Sequence, residues 1–253
     1  MKKIFLLSLA AALAFSLNAG AQAFNSLSAG LGAGTDGLSL EVATPLSDHI
    51  QLRVGYGTAF GMTLYTLNDQ VYMPTLTGNV YVPLQLGLSR NDGRILFNFY
   101  PGEGSFYFTA GLYLGSGSFV KGTMIDLPKE YDNQSIETTA NADIKVVDRK
   151  IAMEYLGRGL SSPTFAVKPY VGVGFGRPVQ EDRRVSFAFD LGVMYQGTPT
   201  VWYKGLDKYG NAVNVEYTQV PFFKDDTQHS IDTIGKYTMF WPTLNFHVYF
   251  KLF

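Results

Sequence analysis

The sequence predicts an all-β fold: a closed antiparallel up-and-down β-barrel that crosses a membrane with eight strands. Three observations predict it. Segments of about ten residues alternate apolar and polar side chains at period two, so that one face of each strand is apolar and the other polar. The connections between these segments alternate between short and long. Beyond residue 23 no segment is apolar for long enough to form a membrane helix, which needs about 20 such residues.

The first element is a secretory signal at 1–23. Lys2 and Lys3 give it a positive start, Ile4 to Leu17 an apolar run, and Ala19-Gly20-Ala21-Gln22-Ala23 a small-residue cleavage zone. The mature chain, 24–253, reads as one barrel domain. Its strands fall near 26–34, 37–46, 49–58, 93–101, 105–115, 165–176, 184–196 and 240–253. The last shows the pattern best: Leu244, Phe246, Val248, Phe250 and Leu252 share one side, and Thr243, Asn245, His247, Tyr249 and Lys251 the other. A closed barrel in lipid requires this arrangement, with the apolar row outside and the polar row in the lumen.

With both ends in the periplasm, the periplasmic turns are Leu46-Ser47-Asp48, Pro101 to Gly104 and Arg177 to Arg183, all short. The long extracellular loops are 59–92, 116–164 and 197–239, and a tight turn at Thr35-Asp36-Gly37 is the one short connection on their side. In 59–92, Val80 to Leu88 alternate in one phase and Ile95, Phe97 and Phe99 in the other. Asn91-Asp92-Gly93 then marks either a hairpin, giving a ten-stranded alternative, or a bulge in one long strand that projects beyond the membrane. Short alternating runs such as Ala142 to Val146 extend the hairpins above the membrane.

The polar rows place charges in the lumen. Glu41 and Arg53 sit at equal spacing about position 47, which sets them opposite each other as an ion pair, a plug or gate; Lys168 and Asp190 form a second candidate pair, and Asn245 and His247 line the same interior. Glycines on that face (Gly30, Gly172, Gly174 and Gly192 among them) leave room for Tyr107, Tyr113, Tyr170 and Tyr249, so the lumen is expected to be filled. Aromatic residues collect near strand ends. Trp202, Tyr203, Phe240 and Trp241, with Tyr56, Tyr113 and Tyr195, mark the outer interface; Phe99, Tyr100, Phe106, Tyr107, Phe250 and Phe253 mark the inner one.

Several function classes are excluded or left without support. There is no cysteine, hence no lipidated cysteine, disulfide or thiolate metal site. A formal net charge of −1 offers no basic surface for nucleic acid. Of the three histidines, His49 is at a turn, His247 in the lumen, and His229 in a loop beside Asp226 and Ser230 without a catalytic spacing. No catalytic residue, metal ligand or cofactor is expected.

Taken together, Gly34 to Glu41, Gln51 to Tyr56, Asn98 to Pro101 with Ser105 to Tyr113, Pro169 to Gly174, and Phe189 to Gly197 resemble the small bacterial outer-membrane β-barrels of the OmpA/OmpX-like, porin-type superfamily. The resemblance covers nearly all the mature chain except the long loops, and its motifs are strand patterns that specify architecture. It implies residence in the outer membrane of a Gram-negative cell, contact with its lipid and lipopolysaccharide, and insertion by the barrel assembly machinery. That machinery reads a final strand ending in an aromatic residue, here with Phe250 and Phe253. The chain departs from the family in phase, since Lys251 and Tyr249 stand two and four positions before the terminal aromatic, where apolar residues are usual. The leading expectation is an envelope component with a filled lumen, acting through surface loops that bind an unidentified ligand. A narrow porin-like channel for small solutes is the alternative, and a lipid-modifying or proteolytic barrel enzyme the third.

Overall fold

In the computed structural model, residues 25–59, 63–75, 78–157, 160, 165–180, 182–219 and 238–253 are described. The signal at 1–23, and His229 with its neighbours Asp225, Asp226 and Ser230, lie outside them.

Eight strands close a barrel: β1 (Ser28–Gly34), β2 (Gly37–Ser47), β3 (Ile50–Ala59), β6 (Arg90–Phe99), β7 (Phe106–Gly115), β12 (Ala166–Gly176), β13 (Val185–Tyr195) and β16 (Phe240–Lys251). Every pair is antiparallel, and β1 closes on β16 from Ser28 opposite Lys251 to Gly34 opposite Asn245. The strands stand within a few residues of the expected positions because alternation leaves no freedom: a slip of one residue would turn each apolar row into the lumen. The two-residue turn Thr35–Asp36 joins β1 to β2. Gly37 follows it at a φ of +91°, where an added Cβ would lie 2.3 Å from the Thr58 carbonyl oxygen.

The barrel inverts the usual order of a protein interior. Its largest fully buried side chains include Arg53, Arg90 and Lys168, whereas Leu31, Phe97, Phe108, Phe175, Phe187 and Phe246 are exposed on the outside. Along β13 the outward row runs from Val185 to Tyr195. Ten residue steps at about 3.4 Å, tilted by about 40°, project onto roughly 26 Å, the height of a hydrocarbon layer crossed by a barrel. An apolar surface of this extent on a closed barrel is a membrane surface.

The long connections are not irregular. They supply a second sheet: β4 (Thr63–Thr75), β5 (Gly78–Leu88), β8 (Ser118–Met124), β9 (Ser135–Glu137), β10 (Ala142–Lys145), β11 (Ile151–Leu156), β14 (Thr200–Asp207) and β15 (Ala212–Glu216). The lateral order β4-β5-β8-β11-β14-β15 repeats, strand for strand, the barrel order β3-β6-β7-β12-β13-β16. The first five of these strands are joined in sequence to the five below, so the barrel wall continues upward along most of its rim. Above β1 and β2, joined by their two-residue turn, the wall has no continuation among the described residues. The second sheet has its own apolar core, built from Val82, Leu84, Met124, Ile144, Met153 and Tyr203 among others.

This architecture corrects the reading of 59–92. Residues 63–88 do form two strands, but these pair in the upper sheet, and the barrel has eight strands, not ten. Asn91-Asp92-Gly93 is neither a hairpin nor a bulge of its own strand. Even-numbered residues face inward on both sides of it: Val82 and Leu84 above, Arg94 and Leu96 below. What reverses is the surroundings, because the barrel has an apolar exterior and a polar lumen while the upper sheet has a solvated exterior and an apolar core. The bulge lies on the neighbouring strand instead: Leu88 pairs with Val120 and Asp92 with Gly115, which puts one extra residue between β7 and β8.

Candidate functional site

The lumen holds the only concentration of buried charge among the described residues, in two tiers. The lower tier is centred on Arg53 of β3. Its Nε and Nη2 each lie 3.0 Å from Glu41 Oε2, and its Nη1 donates to Asp190 Oδ1 at 2.9 Å, so one guanidinium ties β2 to β13 across the lumen. Arg94 reaches Glu41 Oε1 at 3.2 Å. Tyr249 donates its hydroxyl to Glu41 Oε2 and Tyr107 donates to Asp190 Oδ1, each at 2.5 Å. His247 stands between the two carboxylates, Nε2 at 3.3 Å from Glu41 Oε1 and Nδ1 at 3.1 Å from Asp190 Oδ2. Six of the eight barrel strands contribute to this tier.

The upper tier lies toward the second sheet. Lys168 donates to Asp92 Oδ1 and to the Ser116 carbonyl, both at 2.9 Å. Arg90 reaches Asp92 Oδ2 at 3.2 Å, and its guanidinium stands 5.7 Å from the Trp241 ring centroid. Asp36 turns from the β1–β2 turn into the lumen, where it accepts from Asn245 Nδ2 at 2.9 Å and from the Tyr113 hydroxyl at 3.1 Å. Across both tiers four carboxylates (Asp36, Glu41, Asp92, Asp190) face four basic side chains (Arg53, Arg90, Arg94, Lys168), with His247 in addition. Burying an ion costs several kcal/mol unless it is paired, and every one of these charges has an ion-pair partner, while Asp36 Oδ1, Arg90 Nη1 and Arg94 Nε make no hydrogen bond.

Aromatic rings fill the space that glycines leave. An added Cβ would lie 2.4 Å from the Tyr249 ring at Gly30, 2.3 Å from the Tyr107 ring at Gly174, and 2.3 Å from the Tyr170 hydroxyl at Gly192. The rings therefore lie against bare backbone, between the charges.

Several expected placements need correction. Glu41 is not directly opposite Arg53: it pairs with Gly55, while Arg53 pairs with Ala43, because the turn is centred on Asp48–His49 and β2 is irregular between Pro45 and Ser47. The two side chains meet diagonally. Lys168 and Asp190 do not pair; Lys168 binds Asp92, and Asp190 binds Arg53. Tyr203 is not at an interface but 2% exposed in the core of the upper sheet, and Trp202 is on the same strand β14 with its indole N–H on Thr200 Oγ1 at 2.7 Å. Trp241 faces the lumen and packs on Phe119 at 5.9 Å, while Phe240 faces outward beside Tyr195. Tyr100, Tyr107 and Tyr113 point into the lumen and not toward headgroups. Phe250 is on the outer face of β16, and Phe253 lies two residues beyond that strand, its carbonyl accepting from Leu27 N–H at 3.1 Å.

Sequence reading missed Asp36, Arg90, Asp92 and Arg94. The sequence puts Asp36 in a tight turn and Asp92 at a hairpin or a bulge, yet Asp92 and Arg94 keep the inward phase of Leu96 and Asn98, a signal visible once the strand is extended to Arg90. Outside the barrel, the side-chain amide of Asn211, with backbone N–H groups, holds the Asp207 carboxyl below its usual range.

No family model matches the chain, and no curated protein matches it. Among solved structures the chain is similar to CarO2 of Acinetobacter baumannii, at 16% identity over 91% of this chain and 99% of that one, with a TM-score of 0.49. It is also similar to CarO of the same organism, at 17% identity over 89% and 96%, TM-score 0.45. A third is a major outer membrane protein from Thermus thermophilus, at 14% identity over 90% and 98%, TM-score 0.38. The barrel assignment itself stands on the strand pairing.

Proposed function

We propose that this protein is a structural component of the bacterial outer membrane, exported by its signal segment and inserted by the barrel assembly machinery, whose lumen is closed by its own side chains. It presents the upper sheet at the cell surface and catalyses no reaction. The observation that carries this reading is the Arg53 network, which spans the lumen from Glu41 to Asp190 and leaves the barrel's centre occupied by paired charge and tyrosine rings. The belt of exposed leucine, valine and phenylalanine side chains supports lipid as its surroundings, with lipopolysaccharide and the headgroups as its immediate neighbours.

The test is single-channel conductance in a planar bilayer, with protein refolded in detergent and shown to migrate differently before and after boiling. A closed lumen gives no stable openings from the unmodified barrel. Steady openings of defined size would overturn the closed reading and make Glu41 and Arg53 the lining of a small-solute channel. Glu41→Ala frees Arg53 and Arg94 from their shared carboxylate and is expected to bring either transient openings or a lower unfolding temperature. Unchanged conductance together with unchanged heat resistance would count against the network as the plug.

A further inference from the structure

A recess of about 280 Å³ lies where the barrel wall passes into the upper sheet. Its lining includes Asn91, Ser116, Ser118, Lys121, Glu154 and Asn214. Strand phase puts it on the outside of the molecule: Lys121 alternates with inward Gly122 and Met124, Glu154 with inward Met153, and Asn214 with inward Val215. Its height is equally defined, because Asn91 and Ser116 stand just above the outward residues Ile95 and Phe97 of β6 and Leu112 and Leu114 of β7. Apolar side chains thus give way to hydroxyls and amides within two to four residues along the strands, at the level that headgroups occupy.

The extra residue between β7 and β8 shapes the recess. It puts Ser116 and Ser118 close together, with the Ser118 N–H donating to Ser116 Oγ at 3.0 Å. Ser118, a residue 8% exposed, is among the lining residues, and its hydroxyl, turned away from the opening, has no hydrogen-bond partner. A hydroxyl buried in this way is expected to be satisfied by something that enters once it turns toward the opening. Lys121 is opposite Glu154 in the β8–β11 ladder, but the Glu154 carboxylate is held by Lys204 at 3.1 Å, and Glu216, the next acid on this face, lies two strands farther on, so the acid beside Lys121 is already engaged. Hydroxyls and amides suit a polyhydroxylated ring, and the Lys121 ammonium suits a phosphate.

We propose that this recess holds the phosphorylated sugar headgroup of an outer-leaflet glycolipid, with Lys121 on the phosphate and Ser116, Ser118, Asn91 and Asn214 on ring hydroxyls. The proposal rests on the outer-membrane reading, because only that membrane puts such a headgroup at this height. The experiment uses the full mature barrel, refolded and shown to be heat-modifiable, with lipid A carried through gel filtration in detergent. Unmodified protein retains lipid A and does not retain phosphatidylglycerol; Lys121→Glu lowers retention at least tenfold, Lys121→Arg restores it, and dephosphorylated lipid A behaves as the Lys121→Glu pairing does. Glucosamine 6-phosphate is the soluble arm. Binding of that sugar as tightly as lipid A, with the same dependence on Lys121, would overturn the lipid assignment, as would retention indifferent to Lys121→Glu. A protein that refolds but fails to enter lipid vesicles would instead sink the membrane reading itself.

Discussion

Arg53 is the residue on which the lumen depends most, since its guanidinium is hydrogen-bonded to carboxylates on both flanks and its Nη2 lies 3.5 Å from both ring nitrogens of His247. Replacing it with methionine keeps most of the volume and leaves Glu41 and Asp190 buried with one fewer cation. Loss of one partner of a buried pair costs about 3–5 kcal/mol, so Arg53→Met is expected to lower the temperature at which the compact band converts to the unfolded one. A double-mutant cycle with Asp190→Asn isolates the pair, and a coupling of roughly 0.5–3 kcal/mol is expected. Additive losses would show that the two residues act independently. The charged faces were legible at this scale, because alternation alone puts Glu41, Arg53, Lys168, Asp190, Asn245 and His247 inside. Their partners were not. Arg53 and Asp190 are 137 residues apart, and only closure of the barrel brings β3 and β13 to face each other across the lumen.

At the level of strands, glycine and tyrosine act as matched pairs. Gly30 of β1 admits the Tyr249 ring of β16 against its backbone, and that ring hydrogen-bonds Glu41 of β2. A methyl group at Gly30 would meet the ring at 2.4 Å, and an aromatic ring held at its hydroxyl has little room to yield. Gly30→Ala is therefore expected to cost about 1–3 kcal/mol by overpacking. Gly93→Ala is the control, since its added methyl would meet its nearest atom at 3.5 Å, and thermal conversion should be nearly unchanged. Equal effects of the two would show that backbone freedom, and not ring packing, is what these glycines supply. The upper sheet permits a separate test. Tyr203→Ala empties a buried position in its core at a cost of about 3–5 kcal/mol, which should expose the upper-sheet strands β8 to β11, β14 and β15 to protease while leaving the barrel strands protected and heat-modifiable. Loss of both together would show that the two sheets unfold as one. This sheet was not legible in the sequence for a physical reason. Lipid imposes a strict apolar outer row on barrel strands, whereas strands in water need only an inner apolar face, and β9, β10 and β15 are three to five residues long. The phase reversal near Asn91 was visible, but it records the change of solvent around one continuous strand.

For the molecule as a whole, one closed ladder carries two environments stacked end to end, and the boundary between them can be located by fluorescence. The chain has two tryptophans, Trp202 and Trp241, and replacing both with phenylalanine gives a silent background. Phe189→Trp then places one indole on the outward row of β13, at a position 43% exposed near the middle of the belt. Tyr81→Trp places it on β5 of the upper sheet, at a position 57% exposed. In vesicles whose lipid carries bromine at mid-chain, the first should be strongly quenched and the second not, because roughly 26 Å of belt height centres the acyl chains on residues 189–191. The contrast depends on the inversion described for β5 and β6: if the alternation on that strand had slipped at Asn91, Tyr81 would point into the upper core and its indole would be shielded from added iodide as well. Quenching by iodide without quenching by bromine at position 81, and the reverse at 189, would place the solvent boundary between the two sheets. Strong bromine quenching at both positions would mean that the upper sheet is immersed, and the belt would then have to extend past Ser116.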